Sequence, residues 1–104
     1  MEYSARIDWQ INNNVKQELT KRWIDISKLR ISTTKGVVEI KGEISFTGQA
    51  GGDTEVTSIM NKLKNIDRAI RGINYVRDIH WKLDNWKKIG SRWVPSEIEE
   101  KQHG

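Results

Sequence analysis

The stretch Gly36-Val37-Val38-Glu39-Ile40-Lys41-Gly42-Glu43-Ile44-Ser45-Phe46 constrains this chain most. Its apolar residues Val38, Ile40, Ile44 and Phe46 occupy every second position, with Gly42 in the place between. Glu39, Lys41, Glu43 and Ser45 fill the alternate positions. Period-2 alternation describes a strand with one buried and one wet face. Gly36 ends a turn. Gly42 leaves a gap on the buried face, where a bulge, a bend or a close neighbour is expected.

Lys28–Thr33 alternates as well, with Leu29 and Ile31 on one face. Thr34-Lys35-Gly36 is the turn between the two runs, which reads as a hairpin. The second strand is expected to extend from Val37 to about Thr47.

Before the hairpin, residues 5–20 carry Ile7, Ile11, Val15 and Leu19 at intervals of four, one stripe of a helix. Ser4 is placed to cap it, Asp8 suits its first turn, and Lys21 and Arg22 suit its C-terminal dipole. After the hairpin, Gly48–Asp53 forms a glycine-rich connection. Asp53 or Thr54 then caps a second helix with the apolar set Val56, Ile59, Met60, Leu63, Ile66, Ile70 and Ile73. Gly72 is expected to end it as a left-handed cap. Tyr75–Leu83 reads as a third strand with Ile79, Trp81 and Leu83 on one face. Val76 has the opposite parity, so a register shift or bulge is expected before Ile79.

The sequence therefore predicts an α+β fold of order αββαβ, with two helices packed on one face of a three-stranded mixed sheet. Residues 1–83 form this domain. Residues 84–104 form an extension rich in Trp and basic residues, without a period, followed by a polar tail expected to be disordered.

Three stretches carry a resemblance to a family. They are Asp8-x-x-Ile11-x-x-x-Val15-x-x-x-Leu19, Gly36-Val37-Val38-Glu39-Ile40-Lys41-Gly42-Glu43-Ile44 and Ala69-Ile70-Arg71-Gly72-Ile73-Asn74-Tyr75-Val76. In this order, over residues 5–83, the chain resembles a BON domain, the module named for bacterial osmotically induced and nodulation proteins. The resemblance implies a non-enzymatic module that attaches to phospholipid membranes or to envelope partners.

The 104 residues suit one small domain. The absence of cysteine excludes disulfides, thiolate metal sites and a catalytic thiol. No apolar run approaches the roughly 18 residues of a membrane-spanning helix. Met1–Arg6 shows no basic region followed by an apolar one, so a cytoplasmic protein is expected, with peripheral membrane contact compatible. An envelope location stays open if the chain is a trimmed piece. The net charge of +4 permits anionic partners without demanding them.

Candidate binding residues fall in two groups. Lys64, Arg68 and Arg71 make an i, i+4, i+7 row beside the apolar stripe of the second helix. This is either an anion-binding edge for headgroups or a nucleic-acid backbone, or a solvated helix face. Trp86, Lys87, Lys88, Arg92 and Trp93, with Trp81, interleave indoles and cations. Such a set seats at a lipid headgroup layer, stacks single-stranded bases, folds back over the sheet, or pairs subunits into a homodimer. The glycine-rich Gly48–Asp53 precedes a helix and could cradle phosphate, but it lacks the Gly-Lys-Ser/Thr ending and carries Asp53, so a connector is expected. His80 and Asp78 share a strand face without further ligands or a nucleophile. No catalytic, metal or cofactor residues are therefore assigned. The element order also resembles KH domains, whose Gly-x-x-Gly loop between two helices is missing here, so nucleic acid is the least favoured partner. The leading expectation is an anionic phospholipid surface, and the alternative is a protein partner or a second copy.

Overall fold

A computed structural model describes residues 4–48 and 55–96. Helix α1 (Ala5–Lys21) starts at Ser4, whose hydroxyl accepts the Ile7 N–H at 3.2 Å. Ile11, Val15 and Leu19 are buried along its stripe. Asn12, in a run of poor helix formers, accepts a hydrogen bond from the Thr33 hydroxyl at 3.1 Å.

The helix closes with a left-handed residue. The Trp23 N–H donates to Thr20 O and the Ile24 N–H to Leu19 O, and Trp23 itself has φ 65°. This is the paired closure usually built on glycine. It delivers Ile24 into the core beside Leu19 and leaves the Trp23 indole exposed.

After a 3-10 turn (Ile26–Lys28), strands β1 (Leu29–Thr34) and β2 (Val37–Gly42) pair antiparallel, Ile31 opposite Ile40. Lys35 and Gly36 both have positive φ, the requirement of a two-residue hairpin turn matched to strand twist. Asp8 of α1 fastens this turn. Its carboxylate accepts the N–H groups of Lys35 at 2.8 Å and Gly36 at 2.9 Å.

The second strand ends at Gly42 instead of continuing to Thr47. Gly42 has φ 117°, and a Cβ there would lie 2.2 Å from Lys28 O. The chain turns out of the ladder at this point, while Ile44 stays buried and Phe46 forms an isolated bridge to Ile24.

Helix α2 (Val56–Arg71) buries Leu63, Ile66 and Ile70. The expected caps Asp53 and Thr54 lie outside the described residues. Gly72 is right-handed, with φ −80° and ψ −7°, contrary to the left-handed expectation. Its N–H instead bonds Arg68 O and Ala69 O in an ordinary last turn, and the reversal falls on Tyr75 at φ 73°.

Strand β3 (Asp78–Leu83) begins three residues later than expected, because Val76 belongs to the preceding turn through its N–H to Ile73 O. This removes the parity conflict between Val76 and Ile79. β3 pairs parallel to β2, Ile79 beside Val38 and Trp81 beside Ile40. The sheet order is β1-β2-β3.

Val38, Ile40 and Ile79 face both helices, and with α1 and α2 they form one core. Arg30, Glu39, Lys41, His80 and Lys82, on the alternate parity, line the wet face. The fold is thus α+β, with both helices on one side of a three-stranded mixed sheet.

Two further strands follow. β4 (Trp86–Ile89) and β5 (Arg92–Pro95) make an antiparallel hairpin, with Trp86 opposite Pro95 and Lys88 opposite Trp93. The expectation of an aperiodic extension after residue 83 is corrected here. Trp86 and Trp93 are 7% and 2% exposed and join the same core as both helices. The expected polar tail beyond Ser96 lies outside the described residues.

Candidate anion-binding cleft

The cleft is built by α2 and the β4–β5 hairpin. Helical periodicity that sends Leu63, Ile66 and Ile70 inward places Lys64, Arg68 and Arg71 on the flank of α2. In the hairpin, Lys88 and Trp93 are cross-strand partners and therefore share a face, as do Trp86 and Pro95. That face carries the two buried indoles. A cleft of about 250 Å³ lies between the two elements, lined by Lys64, Asp67, Arg68, Arg71, Lys88, Ser91 and Trp93.

Its rear wall is fixed by a chain of polar contacts. The Trp81 indole N–H donates to Asp67 Oδ1 at 2.8 Å, and Arg71 Nε donates to Asp67 Oδ2 at 2.9 Å. Arg71 Nη1 also donates to Asp78 Oδ1 at 3.3 Å. Trp93 stands edge-on to Trp81, with ring centroids 5.1 Å apart and planes at 82°. Edge-to-face indoles are a favoured packing, worth about 0.5–1.5 kcal/mol beyond burial.

The single carboxylate in the cleft thus has both oxygens engaged. Arg71 is held by two acids, Asp67 foremost, which keep its guanidinium above its ordinary pKa. Asp78 lies below the ordinary carboxylate range, chiefly because it accepts the Ile79 N–H and then because of Arg71.

Lys88 reaches the hairpin tip, donating to Gly90 O at 2.9 Å. Among the described residues, Lys64 and Arg68 have no side-chain hydrogen bond or ion pair. Two free cations, a tethered ammonium and an oriented guanidinium therefore converge on one opening. Such an arrangement can hold an anion by charge-assisted hydrogen bonds, the stronger class.

Of the eight residues expected to contact an anionic surface, the structure gathers Lys64, Arg68, Arg71 and Lys88 at the mouth. Trp93 is at the wall, buried. Lys87 and Arg92 lie on the opposite face of the hairpin, since they alternate with Lys88 and Trp93. Trp86 is buried away from the cleft lining. The expectation that Trp86 and Trp93 offer free indoles is corrected: both are buried in the core, Trp93 edge-on to Trp81. The exposed indoles are those of Trp9 and Trp23.

Sequence reasoning missed Ser91 and Asp67. Gly90-Ser91 is a two-residue hairpin turn with φ 62° at Gly90, a signal present in the sequence. Asp67 precedes Arg71 by four residues, the spacing of a helical ion pair.

The His80–Asp78 pair forms at 3.3 Å on the wet face, where both side chains are about half exposed. Among the described residues no group of three or more His, Asp or Glu is placed to hold a metal ion. No described helix is long and apolar enough to cross a membrane. The expected phosphate cradle at Gly48–Asp53 falls, beyond Gly48, outside the described residues. A scan against protein-family models matches none, and a search of curated proteins finds no match.

Proposed function

We propose that this chain is a non-enzymatic binding module of BON type that attaches to anionic phospholipid surfaces. The cleft between α2 and the C-terminal hairpin is its headgroup contact. The observation that carries this reading is the convergence of Lys64, Arg68, Arg71 and Lys88 on one opening whose single carboxylate is already engaged. The three sequence stretches that resemble the family support it. Their residues occupy formative places: Asp8 on the hairpin turn, Gly42 at the end of β2, and Ala69–Val76 at the close of α2.

Attachment through inserted indoles of the extension is not part of this proposal, because Trp86 and Trp93 are buried.

Vesicle co-sedimentation tests the reading. Full-length protein should pellet with vesicles containing anionic lipid and not with neutral ones. Lys64→Glu with Lys88→Glu should abolish pelleting while leaving the thermal melt in place. Pelleting that is absent, or indifferent to the double variant, refutes it.

A further inference from the structure

We infer that the cleft selects a phosphomonoester over a phosphodiester. This rests on the surface-attachment reading above and names the chemistry its cleft would recognise. Three features point to a compact, doubly charged ligand.

The first is charge. Four cations surround the opening, and Asp67 and Asp78, which orient Arg71, leave a formal excess of two positive charges. A phosphomonoester carries about −1.5 to −2 at neutral pH and three terminal oxygens, whereas a diester carries a single charge. The monoester balances the excess; the diester leaves one cation uncompensated in a partly enclosed site.

The second is donor placement. Arg68 and Lys64 come from one side, on α2, and Lys88 and Ser91 from the other, on the hairpin. A diester offers two unesterified oxygens, whereas a monoester offers a third, so donors on both sides can be satisfied together. Arginine's planar fork suits two of these oxygens at once.

The third is size. The cleft, about 250 Å³, is smaller than the roughly 300–1,000 Å³ of sites for drug-sized ligands. It accommodates one small charged group, with the Trp93 ring as an apolar wall.

A phosphomonoester reaches such a cleft either as a lipid headgroup or as a free phosphate ester, and the experiment separates the two. Full-length protein is titrated with phosphatidylcholine vesicles containing phosphatidic acid, or phosphatidylglycerol at a mole fraction giving the same measured surface potential. Binding to the monoester vesicles should be at least about tenfold tighter, the worth of one additional charge-assisted hydrogen bond. Arg68→Gln and Lys88→Gln should each erase that preference, whereas Arg30→Gln on the wet sheet face should keep it. Soluble glycerol 3-phosphate should compete for the monoester vesicles.

Equal binding at matched potential overturns the selectivity and leaves surface attachment standing. Binding to neither vesicle, with glycerol 3-phosphate still bound by calorimetry, overturns the attachment and assigns the cleft to a free ester. A monoester preference that survives both cleft substitutions, or that glycerol 3-phosphate cannot compete away, overturns the cleft as its origin.

Discussion

The side chain of Asn85 meets the backbone of Ile44 twice, accepting its N–H at 3.0 Å and donating to its C=O at 2.8 Å. A carboxamide presents an acceptor and a donor side by side, so it imitates the edge of a strand. It occupies the place where the β2–β3 ladder has ended at Gly42 and Leu83. Asn85→Ala leaves both groups of the buried Ile44 without partners. Stability should fall by about 2 kcal/mol, read as a lower urea midpoint at unchanged slope. A loss under about 0.5 kcal/mol, the range of ordinary surface substitutions, would show that water replaces the amide.

Asp8 plays the corresponding part at the other end of the hairpin. Removing its carboxylate in Asp8→Ala frees two N–H donors of a turn held at positive φ. The expected cost is about 1–2 kcal/mol. Amide exchange of Lys35 and Gly36 should accelerate more than that of the α2 core; uniform acceleration would contradict a local role.

Trp93→Ala removes an indole that is both core and cleft wall. It should destabilise by about 3–5 kcal/mol, as large-to-small aromatic changes do. Trp93→Phe keeps an edge contact to Trp81 and should lose less than half of that. Equal losses would mean the T-shaped contact contributes nothing particular.

Trp23 stands in a left-handed position that glycine occupies more cheaply, and the residue is 59% exposed. Relief of the backbone penalty, offset by the greater freedom of glycine when unfolded, predicts that Trp23→Gly raises stability by about 0.5–1 kcal/mol. A lower melting temperature would show that the indole, lying where a Cβ on Gly48 would come within 3.2 Å of it, outweighs the strain.

Acid titration addresses Asp78. Its folded pKa is depressed, so its contribution is present above the unfolded pKa and is lost as pH falls through the folded one. Stability from this group should be level from neutral pH down to about 5 and decline below about 4. Asp78→Asn should flatten that decline. Because Asp78 is half exposed, the effect is modest and weakens with salt.

Much of the fold was legible because its elements are long relative to their period. The stripe of α2 spans over four turns, and Val38 and Ile40 alternate within a strand announced by a turn glycine. The closing hairpin was missed for the converse reason, with the Gly90-Ser91 turn its one local signal. Four-residue strands contain only two repeats, and its indoles sit on different strands, so no alternation connects them. Asp8 and Asn85 act on residues 27 and 41 positions distant, beyond any local pattern. The row Lys64, Arg68 and Arg71 could be read from helical spacing. Its meeting with Lys88 depends on the Lys88–Trp93 register and on docking of the hairpin, neither of which a single strand encodes.

The parallel pairing of β2 with β3 bears on how the molecule assembles. An antiparallel neighbour can zip up from a turn, but these two strands meet only after residues 43–77 have been gathered. Closing that length costs chain entropy before the ladder repays it, which slows the pairing. The first helix and hairpin, joined by Asp8, are therefore expected to form first, with α2, β3 and the last hairpin following. Rapid-mixing refolding followed by indole emission should show burial of Trp93 as a late event. In that order the cationic opening, made entirely from the later pieces, should appear only as folding completes.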